Sequence, residues 1–310
     1  MKPRLQNKIA GSELTLPMCV VVAAALWWRP EGSDITSNIW GLALCLLTTY
    51  IIMETNAQQH IIRIRTRMMS CVWLVLSTSL SFMHPLGEPL LAATFLCGSY
   101  YLLFRCYQQY QPQLMAFHSF LMLGIGSFFA PIMLPMAISF FLYMIFFLRS
   151  LTKKAFWAGI LGLIVPFWCY GAWCFVTGNA FKYRLPFNDL KPFSFVKDLG
   201  EAEIFSFAVI ALLSIISIIH YLRTNYDDKI RVRMILYIYV SQTLLLMAFL
   251  VLQPSHYPTT MALLIASASP LIAHYFALSK SILGTIFFFL SLLLTAGMAV
   301  LNLVLPEFTP

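Results

Sequence analysis

Apolar stretches of about 16 to 23 residues follow one another along most of this chain, parted by short charged or proline-containing breaks. That length is the strongest constraint on the fold, because a helix needs roughly 20 apolar residues to cross ~30 Å of hydrocarbon. Hydrocarbon offers no water to backbone N–H and C=O groups, so each stretch must close its hydrogen bonds within itself, as a helix does. The alternating pattern of an outer-membrane barrel strand does not occur. Composition agrees: 60% of residues are hydrophobic and 10% charged, against roughly 45–50% and 25% in soluble domains. The expected fold is therefore all-α, a polytopic transmembrane helix bundle formed by residues 1–310 as a single domain with no soluble part. About eleven spans are expected, near 14–29, 37–53, 68–83, 90–104, 114–129, 132–148, 155–176, 204–222, 234–252, 259–278 and 282–304.

The net charge of +8 is a topology signal and not a nucleic-acid footprint. Counted over alternate loops, Lys2, Arg4, Lys8, Arg63, Arg65, Arg67, Arg105, Arg149, Lys153, Lys154, Arg223, Lys229, Arg231, Arg233 and Lys280 share the side of the N-terminus. Only Arg29, Lys182, Arg184, Lys191 and Lys197 fall opposite. The cytoplasmic bias of Lys and Arg then predicts the N-terminus inside and, after an odd number of spans, the C-terminus outside. The basic start leads into an apolar run that ends in Trp27-Trp28-Arg29-Pro30 rather than small residues, so a retained first helix is expected, not a cleaved signal.

Between Met115 and Leu148 no charged residue occurs, too long a run for one crossing, and Pro131 and Pro135 suggest a hairpin turning near 127–131. Inside, Ile61-Ile62-Arg63-Ile64-Arg65 is suited to lie along headgroups with its arginines on lipid phosphate. Outside, the long segment 177–203 interleaves charges with aromatic residues, as an interfacial or cavity-capping segment would. The central parts of the spans hold no Asp, Glu, Lys or Arg, which counts against an ion-coupled transporter. The polar residues left inside the spans include His118, Gln242, Ser267 and Asn302, of which His118 reads as an interhelical hydrogen-bonding group in preference to a proton relay. His220 and His274 fall near cytoplasmic helix ends, where they need no special role. The seven cysteines read as small apolar filler. No zincin, Walker, nucleophile-elbow or dinucleotide motif is present. The acidic residues left for chemistry are Asp34 and Glu88, each just outside a helix start. They read either as helix-end residues or as a convergent pair able to act as a base or to hold a divalent cation.

The stretch Gly87-Glu88-Pro89-Leu90-Leu91-Ala92, running to Tyr100-Tyr101-Leu102-Leu103-Phe104-Arg105, resembles the membrane core of the C-superfold glycosyltransferases, multi-pass enzymes that use polyprenyl-phosphate-linked sugars. Gly124-x-Gly126, the Pro131/Pro135 break, the Arg149–Lys154 connector and Pro166-Phe-Trp-Cys-Tyr170 carry the likeness across residues 14 to 176. The resemblance implies Asp34 as catalytic base or cation partner and Glu88 as a second acid. His84, Lys182, Arg184 and Lys191 would then serve the substrate, the three cations as holders of lipid phosphate. The first outer loop is short here, where that family has a long one. The chain also resembles an uncharacterised family of bacterial inner-membrane proteins. The expectation drawn from these likenesses is a multi-pass protein of the bacterial inner membrane, a non-catalytic or lipid-binding envelope component. It would meet membrane lipids, a polyprenyl-phosphate-linked sugar or an envelope protein partner, and no nucleic acid. A glycosyltransferase acting at the outer face and a lipid or small-molecule transporter are the alternatives.

Overall fold

A computed structural model describes residues 5–27, 35–183 and 199–303. Among these residues every element is helical. The α-helices are α1 (Leu5–Gly11), α2 (Thr15–Trp27), α3 (Ile35–Gln59), α4 (Met68–Thr78), α5 (Glu88–Leu103), α6 (Gln113–Phe129), α7 (Met133–Phe146), α8 (Lys153–Thr177), α9 (Glu201–Thr224), α10 (Ile230–Leu252), α11 (Tyr257–Leu278) and α12 (Ile282–Leu303). Each stretch expected to span coincides with one helix from α2 to α12. The short α1, in the basic leader, is additional.

Seven helices are long and apolar enough to cross a membrane: α3, α5 extended to Cys106, α8, α9 extended to Asp227, α10, α11 extended from Pro254, and α12. The pair α1 and α2, bent by 84°, makes an eighth if taken as one span. The expected spans at α4, α6 and α7 are shorter apolar helices. Eleven continuous spanning helices are thus not seen among the described residues.

The shortening of α4 has a local cause. Thr78 Oγ1 donates to Leu74 O at 2.6 Å and Ser79 Oγ to Val75 O at 2.7 Å, bonds by which such side chains compete with the helix ladder. Leu80 then takes extended backbone, φ -117° and ψ 117°, before a single 3-10 turn at Ser81–Met83. At 1.5 Å per residue, the 11 residues of α4 cover only ~17 Å. Yet the segment around it runs back along the whole of α3. The Asn56 side chain accepts from Ile62 N and donates to Thr66 O, both at 3.1 Å. Ser70 Oγ donates to Thr49 O at 3.1 Å, Cys45 Sγ lies 3.4 Å from Ser77 Oγ, and Leu86 N donates to Ser37 O at 3.1 Å. The return limb of this hairpin is therefore irregular chain, short helix and turn in series, tied to α3 by these hydrogen bonds. Gly41 is the closest approach, since a Cβ there would collide with the His84 carbonyl.

By packing, the chain divides into two compact units, one of residues 1–90 and 193–310, the other of residues 91–192. The post of the first unit is α11, which touches α4, α9 and α10. α1 is tied to its end by Gln6 Nε2 donating to Ser279 O at 2.6 Å. α12 is tied to α9 by Asn302 Nδ2 donating to Ser206 Oγ at 2.8 Å. In the second unit α6 and α7 form the hairpin expected near Pro131, with Phe120 stacked on Phe141 at 4.3 Å. α8 lies closely on α6, where Gly162 faces the Phe117 carbonyl with no room for a side chain.

Candidate functional site: a polar cavity at the α1–α2 elbow

A cavity of about 940 Å³ lies within the first unit. It is bounded by the elbow at Gly11–Glu13, the C-terminal end of α3, the segment 60–67 and the connection between α9 and α10. Segment 60–67 is irregular, turning at His60, whose φ is 51°, and bending over residues 62–64. Ile61 and Ile62 anchor it, 0% and 3% exposed, and Asn56 clamps it at Ile62 and Thr66 as described. Thr66 Oγ1 also donates to Ala10 O of the elbow. Arg63, Arg65 and Arg67, spaced by two, all line the cavity together with Lys229, Glu13, Glu54, Asp227 and Asp228.

Only part of this charge is neutralised within the protein. Arg63 Nη1 donates to Asp227 O at 3.2 Å, and its Nη2 lies 3.4 Å from Asp227 Oδ2. Its Nε is 4.0 Å from Asp228 Oδ1. Asp228 faces away from water, its side chain 2% exposed, and its Oδ2 accepts from His274 Nε2 at 3.0 Å. That nitrogen therefore carries a proton, while Nδ1 of the same ring is buried without a hydrogen-bond partner. The Tyr221 ring meets the His274 ring edge-on at 5.5 Å, and its hydroxyl donates to Arg233 O at 3.2 Å. A buried carboxylate is tolerated only when paired in this way. Asp228 and His274 thus pin the α9–α10 connection to α11 beneath the cavity. Arg65, Arg67 and Lys229 form no ion pair among the described residues, and neither do Glu13 and Glu54. Glu54 accepts from Gln58 Nε2 at 2.7 Å. The cavity is left with three unneutralised cations and two carboxylates, an arrangement that can hold a phosphate on one side and an amine on the other.

A second, apolar slot of about 200 Å³ lies behind the same elbow. Cys19 of α2, Met68 and Val72 of α4, Phe276 of α11 and Phe288 of α12 are among its walls. Sequence neighbours divide between the two spaces: Gly11–Glu13 and Arg67 face the polar cavity, Ile9, Thr15 and Met68 the slot.

The residues expected to carry chemistry lie elsewhere or outside the described residues. Asp34, Arg184 and Lys191 fall outside them. Glu88 is exposed in the first turn of α5, where its charge meets the positive end of the helix dipole. His84 is four residues away on the same turn and is buried, 3% exposed. Its ring stacks on Trp27 at 4.3 Å, its Nε2 donates to Thr78 O at 2.9 Å, and its carbonyl accepts from Trp27 Nε1 at 2.8 Å. These contacts fix the turn that ends the α4 return. Lys182, exposed just beyond α8, belongs to the second unit. Among the described residues no three His, Cys, Asp or Glu side chains converge as a metal site would require.

The Arg63–Arg65 segment was singled out in the sequence, and the structure places it in the wall of this cavity. The Asp228–His274 pair was not, because 46 residues separate its members and each reads alone as a helix-end residue. No family model, curated protein or solved structure matches the chain.

Proposed function

We propose that this multi-pass membrane protein is a lipid-binding component of the bacterial inner membrane, with its N-terminus cytoplasmic, and that it holds a phosphate-bearing lipid in the cavity at the α1–α2 elbow. The observation that carries the reading is the convergence of Arg63, Arg65, Arg67 and Lys229 on one cavity at the ends of membrane-length helices α3 and α10. The distribution of Lys and Arg orients that end toward the cytoplasm. Basic residues there draw anionic headgroup oxygens at about 1 kcal/mol each.

The glycosyltransferase reading keeps its own site. Glu88 belongs to the turn held by Ser37, while the cavity opens at Glu54, so ~25 Å of α3 separates them. A phosphate held by Arg65 cannot be the leaving group of a reaction at Glu88. An enzyme would have to use Asp34 and Glu88 with other cations, and Lys182, Arg184 and Lys191 are the ones that reading assigns.

The lipid reading is tested by thermal unfolding of the delipidated protein in detergent. Saturating phospholipid, at 100 times its Kd, should stabilise the protein by about 2.7 kcal/mol. Replacing Arg65 and Arg67 by Ala should remove most of that gain while leaving the lipid-free melting point in place. A gain unchanged in the double variant would put the lipid somewhere else.

A further inference from the structure

The charges left unneutralised in the cavity narrow the class of lipid. A purely anionic headgroup, such as a bare phosphate or a phosphoglycerol, would satisfy Arg65, Arg67 and Lys229. It would also bring its negative charge against Glu13 and Glu54, which line the same cavity. A headgroup carrying both a phosphate and a primary ammonium meets both sets. The apolar slot behind the elbow supplies the second half of the fit. It presents almost no polar surface, and its volume exceeds the ~150 Å³ apolar cavity that holds a benzene. That is room for a short length of one acyl chain, with the remainder lying in the bilayer beyond. The residues lining the two are adjacent in sequence, Ile9 with Gly11 and Arg67 with Met68, and the Thr66 hydroxyl donates to the Ala10 carbonyl between them.

We infer that the α1–α2 elbow seats one glycerophospholipid with an amine-bearing headgroup. Its phosphate lies on Arg65, Arg67 and Lys229, its ammonium on Glu13 and Glu54, and one acyl chain enters the slot between α2, α4 and α12. The inference rests on the lipid-binding reading above and adds the headgroup chemistry and the path of the chain. The bend of 84° between α1 and α2 is then what opens the seat, since a straight helix would present Glu13 and Thr15 on one continuous cylinder.

The test uses the full-length, delipidated protein with three defined probes: phosphatidylethanolamine, phosphatidylglycerol and inorganic phosphate. A second arm uses phosphatidylethanolamine carrying a photoreactive group in its acyl chain. The ethanolamine lipid should bind roughly tenfold tighter than the glycerol lipid, the worth of one charge-assisted hydrogen bond. Glu13→Gln with Glu54→Gln should erase that preference without weakening phosphatidylglycerol. Photocrosslinks should fall on residues 68–76 and 288–295. Equal affinity for the two lipids in the unmodified protein, or crosslinks spread over the exposed faces of α8 and α12, would overturn the inference and leave the lipid-binding reading standing. Binding of inorganic phosphate as tight as that of either lipid, or no lipid binding that depends on Arg65 and Arg67, would overturn both.

Discussion

α11 and α8 have nearly the same mean hydropathy, 1.7 and 1.8, yet 94% of one and 17% of the other is buried within the protein. Hydropathy reports that a helix is apolar and not what covers it. Both helices carry small residues, so the difference lies in how many of them are covered. α11 buries Ala262, Ala266, Ser267, Ala268, Ser269, Ala273 and Ala277, and small residues let helix backbones approach closely. α8 has Ala155, Ala158, Gly159, Gly162, Gly171 and Ala172 but buries only Ala155, Gly159 and Gly162 of these, the two glycines against Phe141, Phe120 and Phe117. Elsewhere it presents Trp157, Leu161, Ile164, Trp168, Trp173 and Phe175 outward. Those large apolar groups are what a lipid-facing surface carries, and the tryptophans toward its two ends suit the two interfaces. α11 is therefore a structural post and α8 a boundary. The buried hydrogen bond between His274 and Asp228 in the first unit is anchored on the post.

That comparison can be broken at several levels. The largest effect is expected at the buried pair, where His274→Leu leaves the Asp228 carboxylate without its partner. A loss of about 3–5 kcal/mol is expected, read as a lowered unfolding midpoint in detergent. Joint replacement of Asp228 and His274 by apolar residues should recover much of it, because the uncompensated charge is then gone. A single variant as stable as the parent would show that the pair does not fasten the α9–α10 connection.

Adding volume should discriminate the two helices next. Ala266→Leu on the post should cost about 1–3 kcal/mol by overpacking. Gly162→Ala, on the face of α8 that packs against α6, should destabilise by a comparable amount because its Cβ would meet the Phe117 backbone. Chemical denaturation of the purified variants measures both. The smallest effect is expected on the outward face of α8: Leu161→Ala should stay within about 0.5 kcal/mol, since lipid or detergent replaces the lost contacts. A cost there equal to that of Ala266→Leu would mean that another chain covers the face.

Much of the helical layout was legible in the sequence, because apolar length and loop charge act locally. Pro131 and the charge-free run between Met115 and Leu148 marked the α6–α7 hairpin. The premature end of α4 was not read, since the hydrophobic run continues to Met83 and only the hydroxyls of Ser77, Thr78 and Ser79 reveal the stop. Segment 61–65 stood out in the sequence for its alternating Ile and Arg, but its cavity did not. The opposite wall, Asp227 to Val232, lies far along the chain, and no local pattern announces that Arg63 will meet Asp227. His84 looked like a substrate group beside Glu88 in sequence. Its stacking on Trp27 depends on α2 returning to that turn, which no spacing encodes.

The most direct test of the central claim is native mass spectrometry of the protein extracted in mild detergent, with bound lipids identified by fragmentation. The parent protein should retain one phospholipid, and the Arg65→Ala, Arg67→Ala variant should release it while remaining folded. A parent that carries no lipid, or a variant that keeps the same lipid in the same amount, would contradict a headgroup site at the α1–α2 elbow.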